Sequence, residues 1–576
     1  MLDLQTFKVG AANLLWFLYA ASMSRKWQRA TLDVASTQQR VLKRIISNNT
    51  ATEFGREHFF SQVTSVETYR QAVPLRMYEE FKPYIERIAA GQSHVLTSEP
   101  IQQFALTSGS TQAAKLVPYT KTLVNEFQEG IDPWVNYLFR NFPHLLLGKT
   151  YWSVTPVGER KSHTSGGIPL GFDDEKRYFS PLTRWVLNSI MTVPSSVAQL
   201  QDMETFRYVT LSLLLQEPAL SWVSVWNPSF LTLLLEKLPT QLPQLTEDIR
   251  HGTLSVAAQI KPSLRNALLP LYKKNPARAQ ELTTLHRAWQ GKPFTATVAS
   301  GKTLYEAIWP NMRLISCWAH GNAARALPHL QAHFPHAIIQ PKGLLATEAF
   351  VSFPFKEDAS ALSLRSHFFE FAEVNDPMAT IKLAHELQLG HRYVVIVTTG
   401  AGLYRYRLND VIEVTGFYHE CPLIRFIGRQ SKVVDICGEK LNEEHICTII
   451  TNILATYSLS TTFWMLAPEW PAETRPFYTL FVQFASGAIP NKYQLGDMAL
   501  EIDNAMQDNY HYEYCRRLGQ LDHCRLFVIT SDSDAFNIYL TVCTDLGQRL
   551  GDIKPTALHA YQGWSGRFAG RFAGDL

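Results

Sequence analysis

The 576-residue chain is short of cysteine, of net charge and of long apolar runs, and each shortage excludes something. Its seven cysteines are odd in number and form no CxxC pair. That argues against a zinc site or a disulfide framework and fits a reducing cytoplasm. A formal net charge of +3 gives no field that would gather nucleic acid. One apolar run, "VGAANLLWFLYAASM", lies near the start between Lys8 and Arg25. It contains Asn13 and is shorter than the ~20 residues a membrane span needs. It is expected as an amphipathic first helix packed on the body, with membrane-surface contact and secretion as alternatives. No integral membrane segment is expected elsewhere.

Familiar catalytic fingerprints are missing as well. GxxxxGK[ST], GxGxxG and GxSxG do not occur, and "HELQLGH" fails the HExxH spacing. "HLQAHFPH" sets His329, His333 and His336 on one helical face, but Pro335 breaks the last turn and no carboxylate or cysteine adjoins them. A surface helix end is the expectation there, ahead of a metal site.

What is present is globular: 46% hydrophobic, 12% aromatic and 18% charged residues, on a length that suits two or three domains. Residues 35–90 read as helices, with Val41, Ile45 and Ile46 on one face and two prolines as punctuation in "YRQAVPLRMYEEFKPYIERI". "KTLVNEFQEGIDPWVNYLF" reads as helix until Pro133. From 310 onward strands alternate with helices, which favours α/β architecture with a largely parallel sheet. In "VVDICGEKLNEEHICTIITNIL", Asn442 is placed as an N-cap, and Ile446, Ile449, Ile450, Ile453 and Leu454 as the buried face. The terminal "SGRFAGRFAGDL" reads as a solvated tail.

Three stretches carry chemistry. "LTSGSTQAAKLVPYT" crowds Thr107, Ser108, Gly109, Ser110 and Thr111 ahead of Lys115. Hydroxyls, a glycine and a cation are what an anion-holding loop needs, and they also suit a plain turn. "KGLLATEAF" puts a small residue, a hydroxyl and Glu348 after an apolar strand. Such a carboxylate suits Mg²⁺, which takes few protein ligands beside substrate phosphates. "YRYRLNDVIEV" sets Tyr404, Tyr406 and Asp410 on one strand face with Leu408. Trp152, Trp222 and Trp226 fit an acyl-pocket wall or a core, and His367 fits a site lining or a buried strand.

In this order the motifs resemble ATP-dependent adenylate-forming enzymes. More closely, they resemble the acyl-acid amido synthetase family, known from plant enzymes that conjugate auxin and jasmonate to amino acids. The resemblance spans nearly the whole chain, including "TEFGREHFF", "GQSHVLTSEPI" and "IRFIGRQSKVVDICGEKLNE". "GKTYWSVTP", "SGGIPLG" and "CWAHGNAARALPHL" look closer to its bacterial branch. The resemblance implies an α/β fold with a large N-terminal domain (1–427) binding ATP and acid, a hinge (428–432) and a mobile C-terminal domain (433–576). It implies ATP and Mg²⁺, with a carboxylic acid and an amine, expected to be an amino acid, as substrates. Ser108, Gly109, Ser110, Thr111 and Lys115 match the phosphate loop. Ala346 and Thr347 match nucleotide contacts, Glu348 the metal ligand, Asp410 the ribose ligand and Arg429 a residue near the hinge. Lys440 and Lys554 match catalytic lysines. Transfer to a thiol, or a catalytically weak nucleotide-binding protein, are the other readings.

The chain departs from the family pattern at Gln112, Ala113 and Ala114, where relatives carry glycine or proline. Asn409 replaces a glycine, and asparagine is the side chain best suited to that left-handed position. "PTALHAY" lacks the basic residue that follows the late lysine in relatives.

Overall fold

A computed structural model describes all residues except 1–3, 108–114, 154–162, 172–180, 201, 291, 294–295, 298–300, 357, 375–380, 430–432, 435, 438, 472–474, 486–489, 518, 547, 549–552 and 576. The chain divides into a larger unit, residues 1–408 with 412–427, and a smaller one, 409–411 with 428–576.

Three sheets build the larger unit. A hairpin pairs β1 (Gln103–Thr107) with β2 (Lys115–Tyr119). A four-stranded parallel sheet runs β3 (Lys149–Trp152), β4 (Leu220–Ser224), β5 (Leu314–Cys317), β6 (Ile338–Pro341) in that order. The third sheet has seven strands: β7 (Ser352–Pro354), β8 (Ser360–Leu362), β9 (Phe368–Glu373), β10 (Lys382–Leu383), β11 (Arg392–Thr398), β12 (Tyr406–Tyr418) and β13 (Cys421–Arg429). Their spatial order is β10-β9-β11-β12-β13-β8-β7. Its described pairings are antiparallel. The architecture is therefore α/β as expected, but among the described residues the larger unit's parallel strand pairings are those of β3 to β6, and the smaller unit adds one more, between Phe477–Phe484 and Arg525–Ile529. Within the seven-stranded sheet, successive strands are joined by connections too short for a parallel crossover.

The first helix, Leu4–Ala30, packs on the body through Val9, Ala12, Trp16, Ala20 and Trp27. Asn13, the polar residue in its apolar run, is buried and donates to the carbonyls of Leu146 (2.9 Å) and Gly148 (3.1 Å). Its outer face is not polar: Phe7, Leu14, Leu15, Leu18 and Tyr19 are exposed. No described helix is long and apolar enough to cross a membrane. Two prolines expected to end helices do not: Pro83 lies inside Tyr78–Ala89 and Pro133 inside Lys121–Asn141. The longer helix is anchored by Thr120, whose hydroxyl accepts from the Leu123 N–H, and by a largely buried face. That burial outweighs one lost backbone hydrogen bond.

The smaller unit has a short ladder, β14 (Val433–Val434) with β15 (Leu441–Asn442). Its main sheet is β16 (Thr461–Glu469), β17 (Phe477–Phe484), β18 (Arg525–Ile529) and β19 (Gly570–Phe572), in that order. Asn442 caps the helix Glu443–Thr456 by accepting from the Glu444 N–H (2.8 Å), and the five predicted apolar residues are buried. The terminal repeat is not a solvated tail: β19 pairs antiparallel with β18. Trp564 and Phe568 are buried, and a side chain at Gly570 would strike the Val528 carbonyl. Trp564, just ahead of the repeat, and Phe568 and Phe572 within it drive that docking.

Candidate functional site

The segment Lys342–Phe350 leaves β6 and turns sharply. The Ala346 N–H donates to the Ala349 carbonyl (3.0 Å), the Ala349 N–H returns to the Ala346 carbonyl (3.3 Å), and Leu345 bridges Phe350. Thr347 and Glu348 form the tip. Gly343, ahead of the turn, lies so close to the Ser352 carbonyl that any side chain would collide with it.

Tyrosines fix the tip from two directions. Tyr119, the last residue of β2, donates to the Thr347 carbonyl (2.7 Å). Tyr406, the first residue of β12, donates to Glu348 Oε1 (3.1 Å). Glu348 is 6% exposed, and its other oxygen has no hydrogen-bond partner among the described residues. From below, the Phe350 N–H donates to His367 Nε2 (3.0 Å), so that ring nitrogen carries no proton. Fully buried His367 places Nδ1 3.1 Å from Glu126 of the helix Lys121–Asn141. Glu126 also accepts from the Gly400 N–H (3.0 Å) at the end of β11. His367 is thus a core residue that supports the turn rather than a site lining.

The hairpin joins the same locus. Lys115 opens β2 opposite Thr107, and its ammonium sits over the Tyr78 ring, 5.0 Å from the centroid. The Tyr78 hydroxyl accepts from the Leu116 N–H (2.7 Å). Its pKa is pushed up to about 12, first by burial and with the Glu348 charge among the smaller causes. Ser108, Gly109, Ser110 and Thr111, with Gln112, Ala113 and Ala114, lie in the hairpin connection outside the described residues.

Asp410 is buried on β12, four residues beyond Tyr406. The expected shared face holds for Tyr406, Leu408 and Asp410, but Tyr404 lies ahead of the strand. Asn409 adopts φ 63°, the left-handed conformation anticipated for a glycine substitute. Arg429 is the last residue of β13. In the smaller unit Lys440 is exposed at φ 48°, and its loop is held by buried Glu439, which accepts from the Ile436 and Cys437 N–H groups (both 2.7 Å). Lys554 is also exposed, and its carbonyl accepts from the Tyr539 hydroxyl (2.8 Å). The two lysine segments meet through Glu443, which accepts from the Thr556 hydroxyl and the Ala557 N–H (2.7 Å).

Sequence reasoning missed the tyrosine ties at Tyr78 and Tyr119, the Glu126–His367 support and Lys342. Their partners are distant in sequence, so no local pattern reveals them. Lys342 alone had a readable signal: a lone cation ending the apolar strand "AIIQP". Of the three histidines read as a surface helix end, His329 and His336 are exposed as expected, and only His333 is taken into the core. His333 is buried, stacked on Tyr305, and His336 lies 2.9 Å from Glu306.

Residues 23–339 match the GH3 family N-terminal domain and residues 360–429 the GH3 family central domain. The probable indole-3-acetic acid-amido synthetase GH3.12 of Oryza sativa subsp. japonica is 27% identical over 463 residues, covering 73% of each chain. The jasmonoyl-L-amino acid synthetase GH3.5 of the same plant is 26% identical over 449 residues, covering 73% of this chain and 75% of that one. Among solved structures, AtGH3.15 acyl acid amido synthetase in complex with 2,4-DB superposes with a TM-score of 0.79 at 21% identity. That match covers 94% of this chain and 93% of that one.

Proposed function

Because the chain belongs to the GH3 family, we propose that it is an ATP-dependent acyl-acid amido synthetase. The observation that carries the reading is the buried Glu348 turn, tied by Tyr119 to the base of the hydroxyl-rich hairpin and by Tyr406 to the strand bearing Asp410. The reaction has two steps. A carboxylate oxygen attacks the α-phosphorus of ATP, the P–O bond to the β-phosphate breaks, and pyrophosphate leaves with the electron pair. An amine nitrogen, taken to be that of an amino acid, then attacks the acyl carbon. The C–O bond to AMP breaks, the nitrogen loses a proton, and an amide results.

On this reading the protein supplies position and charge rather than a covalent partner. The hairpin loop with Lys115 holds phosphate oxygens, Ala346 and Thr347 border the nucleotide, and Asp410 accepts from ribose hydroxyls. Glu348 would hold Mg²⁺: it is a buried carboxylate with one oxygen unpartnered among the described residues, the sparse donor set this ion accepts. Bound Mg²⁺ supplies neutralisation of phosphate charge. Lys440 and Lys554 are assigned the cationic roles of the smaller unit, which is mobile in this reading; Glu443 ties the segment after Lys554 to the helix that follows Lys440. All seven cysteines are free, which suits a reducing cytoplasm.

The test is pyrophosphate release from ATP and Mg²⁺ over a panel of carboxylic acids, with hydroxylamine as a generic amine. Acid-dependent release with hydroxamate formation supports the reading. Release that requires a thiol instead, with thioester as product, replaces it. Glu348→Gln should raise the Mg²⁺ requirement and lower kcat/KM roughly 100-fold, the scale of one lost electrostatic contact to a developing charge. An unchanged Mg²⁺ dependence removes Glu348 as the metal ligand.

A further inference from the structure

Lys342 is a desolvated cation held by no acid among the described residues. Its ammonium donates to the Ser224 hydroxyl (2.7 Å) at the end of β4 and lies over the rings of Trp226 (5.0 Å) and Trp134 (5.2 Å). Burial brings its pKa down to about 8, although the side chain keeps part of its surface accessible. The nearby Cys317 thiol is pushed up to about 12, mainly by burial, so it is neutral and compensates nothing. One hydroxyl and two ring faces leave an ammonium short of partners, since it has three N–H donors and a full charge.

Aromatic rings surround the ammonium, the buried Trp134 and the partly exposed Trp226 among them. Trp222 and Ser224 alternate along β4 and so share a face, and Trp134 touches both the Trp222 ring (5.7 Å) and Lys342. Trp318 adds a further wall beside Trp226 (5.7 Å). The locus lies at the carboxyl ends of β4, β5 and β6, where parallel sheets open their ligand crevices. It is also only four residues ahead of Ala346, the start of the Glu348 turn.

We propose that Lys342 and its tryptophan walls form the far end of the acyl pocket, and that the acid activated by this enzyme carries a second, anionic group on a flat aromatic body. The carboxylate that reacts faces the Glu348 turn, and the second anion pairs with the Lys342 ammonium. Lys342 is thus a specificity residue. The inference rests on the amido-synthetase reading for the reaction, and on the Lys342 surroundings alone for the anion.

The experiment compares isophthalate and terephthalate with benzoate. In the wild-type enzyme at pH 7, kcat/KM for pyrophosphate release should favour a dicarboxylate at least tenfold. In Lys342→Met that ratio should fall about 100-fold, the scale of losing a partner from a buried charge pair, and Lys342→Arg should restore part of it. The ratio is internal to each protein, so a partly folded variant does not distort it. The wild-type enzyme offers a second measure, because the preference should decline as pH rises through about 8 and the ammonium discharges. Equal use of benzoate and the dicarboxylates overturns the proposal. So does an equal loss for all acids in Lys342→Met, which would place Lys342 against the reacting carboxylate. If no acid releases pyrophosphate, tryptophan fluorescence separates the two readings. Quenching by a dicarboxylate in wild type but not in Lys342→Met keeps the anion pocket and removes the amido-synthetase reading. No quenching in wild type removes the pocket itself.

Discussion

Arg405 and Lys342 are both cations taken out of water, and the protein treats them in opposite ways. Arg405 grips Glu370 with two N–H groups (2.9 and 3.2 Å), donates to the Val73 carbonyl (2.8 Å), and shares Glu370 with Arg70 (2.8 Å). Lys342 has one serine hydroxyl and two indole faces. Glu348 repeats the second pattern with the opposite charge, since its one described hydrogen bond comes from a neutral tyrosine. Asp132 shows a third outcome: burial pushes its pKa up to about 7, so it tends to shed its charge. Charges answered by opposite charges make scaffold. Charges answered only by neutral hydroxyls are left for a ligand to complete.

The largest expected effect tests the scaffold side. Arg405→Met leaves Glu370 buried with only the Arg70 contact. Breaking such a network should cost about 4 kcal/mol, read as a lowered midpoint in urea unfolding. A loss under ~1 kcal/mol would erase the distinction drawn between the two cations.

Lys342→Met should move stability the other way. The folded-state pKa of about 8 lies below that of an unfolded lysine, so between those values the unfolded chain binds more protons. Below pH 8 both states are charged and the full burial penalty stands. As pH rises toward the unfolded value the penalty fades. The variant should therefore be more stable than wild type by on the order of 3 kcal/mol at pH 7, with the gain shrinking toward pH 10. A stabilised variant with lost acid selectivity is the signature of a strained functional residue. A destabilised one makes Lys342 scaffold like Arg405.

These contrasts also mark how far the sequence could be read. The Asn442 cap, the apolar face of its helix and the left-handed Asn409 were legible, because each rests on neighbours in the chain. The "KGLLATEAF" turn was legible as a motif, since its small residues and glycine serve close backbone approach at Gly343. What holds it was not: Tyr119 lies 228 residues from Thr347, and Phe350 meets His367 across a strand pair. Pro83 and Pro133 misled because burial of a helix face overrides a local breaker. The terminal repeat misled because its glycines suggest solvent, while the docking is decided by Trp564, Phe568 and Phe572.

The smallest effect is the sharpest probe of the ligand-completed class. Tyr406→Phe removes the hydroxyl that donates to Glu348 and keeps the ring that packs against Phe81 (6.1 Å). A neutral hydrogen bond contributes about 1 kcal/mol net, or about fivefold in an equilibrium. If Tyr406 only fills space, urea stability and Mg²⁺ dependence should both stay as they are. If it holds Glu348 in one orientation for the metal, urea stability should change little. The Mg²⁺ concentration for half-maximal pyrophosphate release should then rise about fivefold, with kcat at saturating Mg²⁺ largely recovered. That separation of metal affinity from turnover is what a positioning tyrosine produces, because excess Mg²⁺ can pay for the lost orientation. A fall in kcat that saturating Mg²⁺ does not repair would place the Tyr406 hydroxyl against the substrate itself and leave Glu348 to be oriented by its turn alone.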